Sequence, residues 1–283
     1  MPSAHRAMPI PVAAGIGLRS PHYRDIATLS PSIPWLEVHA ENFFGDGGPD
    51  IAWLDQIRQC YPLSIHGVGL SLGTAGQLDM QHLKALNQVV SHFKPALVSE
   101  HLSFSRTSFA HANDLLPMPY TREAVETIAT HIIETQTVLG QKILVENISS
   151  YLEFPESIMP EWAFIGEVVN AADCYLLLDV NNLYVNSINH GFDALTYLGG
   201  LPTSQVREIH LAGHTVTHHA LIDTHDTQVC DAVWDLYTKS LKLTGNQPTL
   251  IEWDSNIPEL SVLLSEAKKA QTCLEQNHAI IPC

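Results

Sequence analysis

ILVENIS at residues 143–149 and YLLLDVNN at 175–182 share one form, a short apolar run whose C-terminal end turns to Glu, Asp and Asn. Six further runs resemble them: GIGLR (15–19), WLEVHAE (35–41), LSIHGVGL (63–70), LVSEHLSF (97–104), VREIHLAG (206–213) and TLIEWD (249–254). Each is bounded by turn residues and has the length of a buried strand. Between most of them lie segments of helical periodicity, among them 78–93, 121–140, 228–245 and 258–276. Thr121 suits a helix N-cap, Gly140 and Gly245 suit helix stops, and Pro258 suits a first helical turn. The helices after the first and sixth strands look short. Strands alternating with helices require parallel pairing through right-handed crossovers, and eight such units predict an α/β fold, a closed (β/α)8 TIM barrel. No linker-like tract or repeat divides the chain, so residues 1–283 read as a single domain, with the core barrel over about 13–270 and short extensions at each end.

Composition narrows the class. Hydrophobic residues make up 45% of the chain and charged ones 16%, which fits a folded globular protein. Fourteen Lys and Arg against 30 Asp and Glu give a net charge of -16, with no basic patch, so no nucleic-acid partner is expected. No apolar run has the roughly 18 residues a membrane span needs, and the N-terminal MPSAHRAMPIPVAAG has no long apolar core. A cytoplasmic protein without a membrane partner is expected. The five cysteines, Cys60, Cys174, Cys230, Cys273 and Cys283, are scattered with no CxxC pair. They read as reduced thiols, not as a disulfide framework or thiolate zinc site.

In such a barrel the C-terminal strand ends carry the chemistry. Here they hold His66; Glu100 and His101; Glu146 and Asn147; Asp179, Asn181 and Asn182; His210; and Glu252 and Asp254. One such residue is ordinarily a hydrogen-bonded cap. Several imidazoles and carboxylates aimed at one pocket would be costly to desolvate without a cation, so the group points to metal. Imidazole and carboxylate without thiolate suit Fe, Mn, Zn or Co, and more than five donors suit more than one ion, with Glu146 and Glu252 as candidate bridges. The five-histidine stretch 206–226 then divides. His210 is a strand-end ligand; Asp223 and His225, two apart in an extended segment, can face the same way. His214 is a candidate substrate-facing base or supporting group, and His218 and His219 are expected in solvent. Arg19, Tyr23, Glu41 and Asn42 lie near the first two strand ends and are candidates for substrate contact by position alone.

GIGLRSPHY, WLEVHAENFF, YPLSIHGVGLSLG, LVSEHLSF, LLPMPYT, ILVENISSYLEF, LLLDVNNLYVNSINHGFD, VREIHLAGH, IDTHD and LIEWDSNIP together resemble the multinuclear non-haem iron-dependent oxidative enzymes. The similarity runs from about residue 13 to 270. It implies a xylose isomerase-like TIM barrel holding two or three irons, Fe2+ or Fe3+, with O2 as cosubstrate. It also implies oxidation of cysteine, or another residue, in a ribosomally made precursor peptide, as in methanobactin biosynthesis, together with a leader-peptide-recognising partner protein. The metal ligands implied are His66, His101, Glu146, Asp179, His210, Asp223, His225 and Glu252. One ion falls on His66, His101 and Glu146, a second on Glu146, Asp179, His210 and Glu252, and a third near Asp223, His225 and Asn182. Asn147 and Asn181 join Arg19, His214, Glu41 and Asn42 as substrate or supporting candidates.

Two other readings use the same residues. A metal-dependent hydrolase resembling the apurinic endonucleases would want histidine where Asn182 stands, and an acidic chain is ill suited to DNA. A sugar isomerase of this barrel type would want a lysine beside its metals, and ILVENIS and LLLDVNN hold none. A non-catalytic metal-binding protein is the third alternative. GIG and GVGLSLG lack the spacing and lysine of a nucleotide loop and read as tight turns.

Overall fold

A computed structural model of the chain describes residues 8–106 and 111–280; Cys283 lies outside them. In chain order the strands are β1 (Ala14–Gly17), β2 (Leu36–His39), β3 (Leu63–Gly67), β4 (Leu97–His101), β5 (Phe104–Arg106), β6 (His111–Leu116), β7 (Leu144–Glu146), β8 (Tyr175–Asp179), β9 (Val206–Leu211), β10 (Thr215–Val216), β11 (Leu221–Ile222) and β12 (Thr249–Ile251). Eight of them pair in parallel in the order β1-β2-β3-β4-β7-β8-β9-β12, and β12 returns to β1 to close a barrel. These are the eight runs expected from the sequence. The other four form two hairpins on the mouth side, β5–β6 after β4 and β10–β11 after β9.

Helices α1 (Tyr23–Leu29), α2 (Pro49–Ile57), α3 (Met80–Phe93), α4 (Arg122–Leu139), α5 (Glu161–Ala172), α6 (Val180–His190), α7 (Ala194–Gly200), α8 (Asp231–Thr244) and α9 (Leu260–Ile280) cover the barrel. Thr121 Oγ1 accepts from Ala124 N at the start of α4, and Gly140 ends that helix at φ 69°. Helix α1 is short, as expected, but the sixth connection is two helices, α6 and α7. YLLLDVNN is strand only to Asp179; Asp179 caps α6, which starts at once. Pro258 lies two residues before α9, where its carbonyl accepts from His22 Nε2 at 2.8 Å. Among the described residues no helix is long and apolar enough to cross a membrane.

Strand alternation sorts each run into two faces. Leu36, Val38, Ile65, Val98, Val145, Leu176, Leu178, Ile209 and Ile251 join the core shared with the helices. The alternate residues face the barrel axis. Leu144, Leu177 and Leu250 are buried outside that shared core, while Glu37, Ser64, Ser99, Glu208 and His210 are buried polar groups on the inward face. The strand interiors therefore do not fill with apolar side chains throughout. Carboxylates and hydroxyls reach down into the barrel.

Candidate metal centre

His66 and His101 end adjacent strands, and Glu146 ends the next, paired with His101 in register. His101 Nδ1 lies 3.1 Å from the Gly67 carbonyl, which can only accept, so Nδ1 carries the proton and Nε2 is bare. His66 Nδ1 is held by Ser99 Oγ at 2.7 Å. The two Nε2 atoms are 3.3 Å apart and lie 3.2 and 3.3 Å from Glu146 Oε2. Burial pulls the His66 imidazole well below its ordinary range and His101 to about 4, so both rings are neutral at pH 7. The two Nε2 atoms and Glu146 Oε2 thus face one another, near the roughly 3.3 Å separation of donors held tetrahedrally at about 2.0–2.1 Å by one ion.

Glu146 also belongs to a second group with Asp179, His210 and Glu252. Its Oε1 lies 3.9 Å from His210 Nδ1, which is 3.0 Å from Glu252 Oε2. Asp179 is divided in function. Its Oδ1 accepts from Asn182 N at 2.6 Å and caps α6, while Oδ2 is buried without a hydrogen-bond partner. Asn147 holds the Asp179 backbone on both sides, Nδ2 donating to its carbonyl and Oδ1 accepting from its N–H, each at 2.9 Å. His210 Nε2 faces Glu37 Oε1 at 3.3 Å and Glu208 Oε1 at 3.8 Å, leaving Nδ1 for the second group. A carboxylate behind a ligating imidazole fixes its ring and raises its basicity.

The orphaned atoms decide whether cations fit. Glu146 Oε2 and Asp179 Oδ2 are buried with no hydrogen-bond donor. Burial, helped by Asp179 and Glu252 but opposed by His210, drives the Glu146 carboxyl well above its usual range. Burial and Asp223 raise Asp179 to about 7, against opposition from His225. Such a concentration of like charge and unpartnered donors is stabilised by bound cations. The residues present fit two first-row divalent ions sharing Glu146.

Around this centre the remaining candidates separate. Asp223 Oδ1 lies 2.7 Å from His225 Nε2, and His225 Nδ1 lies 3.1 Å from Asp254 Oδ2 and 3.4 Å from Glu252 Oε2. His225 adopts φ 45°, rare for a residue with a Cβ, with its carbonyl accepting from Asp254 N and its N–H donating to Gly213 O. With Asn182 the pair lines a cavity of about 190 Å³ that also touches His39, His66, His101, Ser149, Glu252 and Asp254. Asn182 donates to the Asn147 carbonyl and keeps Oδ1 buried without a partner.

Arg19 is buried, with Nη2 at 2.5 Å from Asp254 Oδ1 and 3.0 Å from His39 Nε2. It balances the acidic rim. Burial opposes ionisation of Asp254, but His225 and Arg19 hold its carboxyl near 2. Asn181 bridges His214 Nδ1, 2.8 Å away, and Asp223, to which it donates at 2.7 Å. His218 and His219 are exposed. Glu41 Oε1 accepts from Val68 N and Gly69 N, so it fixes the turn after β3, while exposed Asn42 lines the outer groove. Tyr23 is buried in the core. Glu100 turns away from the mouth, accepting from Leu70 N and His101 N.

Three groups escaped the sequence reading as site residues. His39 ends β2 in register with His66, the same strand-end signal that marked the others. It forms a further donor group with Glu252 and Asp254. Glu37 and Glu208 each precede an inward histidine by two residues, which in a strand puts them on the same face.

The sequence profile of the RiPP precursor modification enzymes MbnB/TglH/ChrH matches residues 13–275, taking in every barrel strand. The chain belongs to that family. A UPF0276 protein of Chromobacterium violaceum is 51% identical over 265 residues, covering 94% of this chain and 96% of that protein. A UPF0276 protein of Acaryochloris marina is 47% identical over 264 residues, covering 93% and 95%. Among solved structures, endonuclease IV from Thermus thermophilus superposes with TM-score 0.60 at 14% identity, covering 93% of this chain and 99% of that one. D-psicose 3-epimerase from Clostridium cellulolyticum gives TM-score 0.56 at 12% identity, covering 96% and 100%. At those identities the likeness concerns the barrel fold alone.

Proposed function

We propose that this protein is a cytoplasmic, multinuclear iron, O2-dependent enzyme that oxidises cysteine, or another residue, in a ribosomally synthesised precursor peptide, delivered with a leader-recognising partner protein. The observation that carries the reading is Glu146, which turns one oxygen to His66 and His101 and the other toward His210. His66, His101 and Glu146 would hold one ion, and Glu146, Asp179, His210 and Glu252 a second; Asp223, His225 and Asn182 are the candidates for a third. Bound iron supplies Lewis acidity toward a substrate thiol and the redox chemistry toward O2.

The chain's own groups do the rest. Ser99, Gly67, Glu37 and Glu208 fix the ring orientations of His66, His101 and His210. Arg19 holds Asp254 and faces His39 at the rim. The metal-side cavity shares His39, Val68 and Leu115 with a second, open cavity of about 500 Å³ bordered by Glu41, Asn42 and Ser105. A continuous groove of that size suits an extended peptide. The test is anaerobic loading with ferrous iron, then exposure to O2 with a cysteine-bearing precursor peptide encoded beside the gene and its partner protein. A mass change in the peptide with O2 consumption is expected; an unaltered peptide with iron-loaded protein, partner and O2 would overturn this substrate.

A further inference from the structure

A third cavity, of about 280 Å³, opens beside the metal mouth and takes no part in the donor groups. Its walls include Tyr120, Phe154, Trp162, Phe192 and Tyr197, with Glu161 among them. The aromatic part is built. Trp162 packs edge-on to Tyr197 at 5.6 Å between centroids, and Phe192 stacks on Tyr197 at 5.6 Å. Gly200 makes room for the indole, since a Cβ there would lie 2.1 Å from Trp162 Cδ1.

Glu161 opens α5, with the buried Tyr197 hydroxyl and the Asn186 amide beside its carboxyl group. Burial raises the Glu161 carboxyl to about 8, against the Tyr197 hydroxyl and Asn186 amide. Among the described residues no lysine or arginine lines the cavity, and His190 is held by Ser150. A carboxyl group kept protonated by burial among aromatic rings becomes, on releasing that proton, complementary to an organic cation carrying an apolar stem. The cavity also adjoins the metal mouth through one loop: Ser149 lines the metal-side cavity and Ser150 lines this one.

We propose that this cavity is a subsite for a lysine or arginine side chain of the peptide presented to the metal centre, with Glu161 receiving the cation and the rings of Trp162 and Phe192, backed by the fully buried Tyr197, holding its stem. The assignment of the occupant to a peptide rests on the function proposed above. Nα-acetyl-lysine N-methylamide, its arginine counterpart and its norleucine counterpart, titrated calorimetrically into the full-length protein, test it. At least one cationic derivative should bind about tenfold or more tighter than norleucine, the loss expected for one charge-assisted contact. Glu161→Gln should abolish that preference and leave metal content unchanged. Gly200→Ala, which crowds the indole, should weaken binding of the cation while the circular dichroism spectrum is preserved. Equal binding of norleucine, no binding of either cation, or a preference that survives Glu161→Gln would overturn the subsite. Because these probes bind without turnover, failure of peptide oxidation alone faults the proposed function and leaves the cation preference standing.

Discussion

Glu100 and Glu146 come from neighbouring strands of one barrel, both fully buried, and their carboxyl groups are both pushed well above the usual range by burial. Glu100 faces outward, and its oxygens accept from Leu70 N and His101 N. Gly67 makes room for it, since a Cβ there would lie 2.2 Å from Glu100 Oε1. Glu146 faces inward, and its Oε2 has two imidazole nitrogens within 3.3 Å and no hydrogen-bond donor. Burial alone therefore does not mark a metal ligand. What separates the two is whether the backbone has already satisfied the oxygens, and a one-residue step along a strand decides that.

The largest contrast should come from exchanging each carboxylate for its amide. Glu146→Gln should reduce iron in anaerobically loaded protein to near background, since both donor groups lose their shared ligand; plasma emission spectrometry reads this. Unchanged iron would break the contrast. Asp179→Asn isolates the second group, because asparagine can still cap α6. It should lose part of the bound metal while thermal stability of the metal-free protein changes little.

Next in size is a pH effect on the metal-free protein. Asp179 is raised to about 7 and Glu208 and Glu161 to about 8, while His210 and His225 are raised well above 6.5. A raised folded pKa means that the native state binds more protons than the unfolded chain, so stability falls as pH rises through that value. His66 and His101, lowered in the fold, act in the opposite sense only below their unfolded value of about 6.5. Differential scanning calorimetry should therefore give a lower Tm at pH 8 than at pH 6.5, and bound metal should reduce the difference. A Tm that rises over this interval without metal would contradict the assigned environments.

The smallest effect belongs to Glu100→Gln. One amide oxygen cannot serve both N–H groups at their present positions, so a loss of about 1–2 kcal/mol in urea unfolding is expected, with iron content retained. Iron loss equal to that of Glu146→Gln would erase the distinction between the two residues.

The eight strands were legible because each is an apolar run bounded by turn residues, and the two donor groups because their members stand at strand ends. Direction was less legible. Glu41, Arg19 and Asn147 share the candidate donors' position in sequence, but Glu41 fixes a backbone turn, Arg19 binds Asp254 and Asn147 clamps the Asp179 backbone. Glu37 and Glu208 went unread because a carboxylate inside a strand is judged by its apolar neighbours; only the packed barrel reveals His210 above them. The cavity around Glu161 draws its walls from residues between Pro117 and Tyr197, so no single stretch announces it.

The shared role of Glu146 is tested most directly by an anomalous difference map at the iron edge from crystals grown and loaded anaerobically. Two peaks on either side of its carboxylate are expected, one beside His66 and His101 and the other beside Asp179, His210 and Glu252. A single peak, or iron bound away from Glu146, would contradict the account.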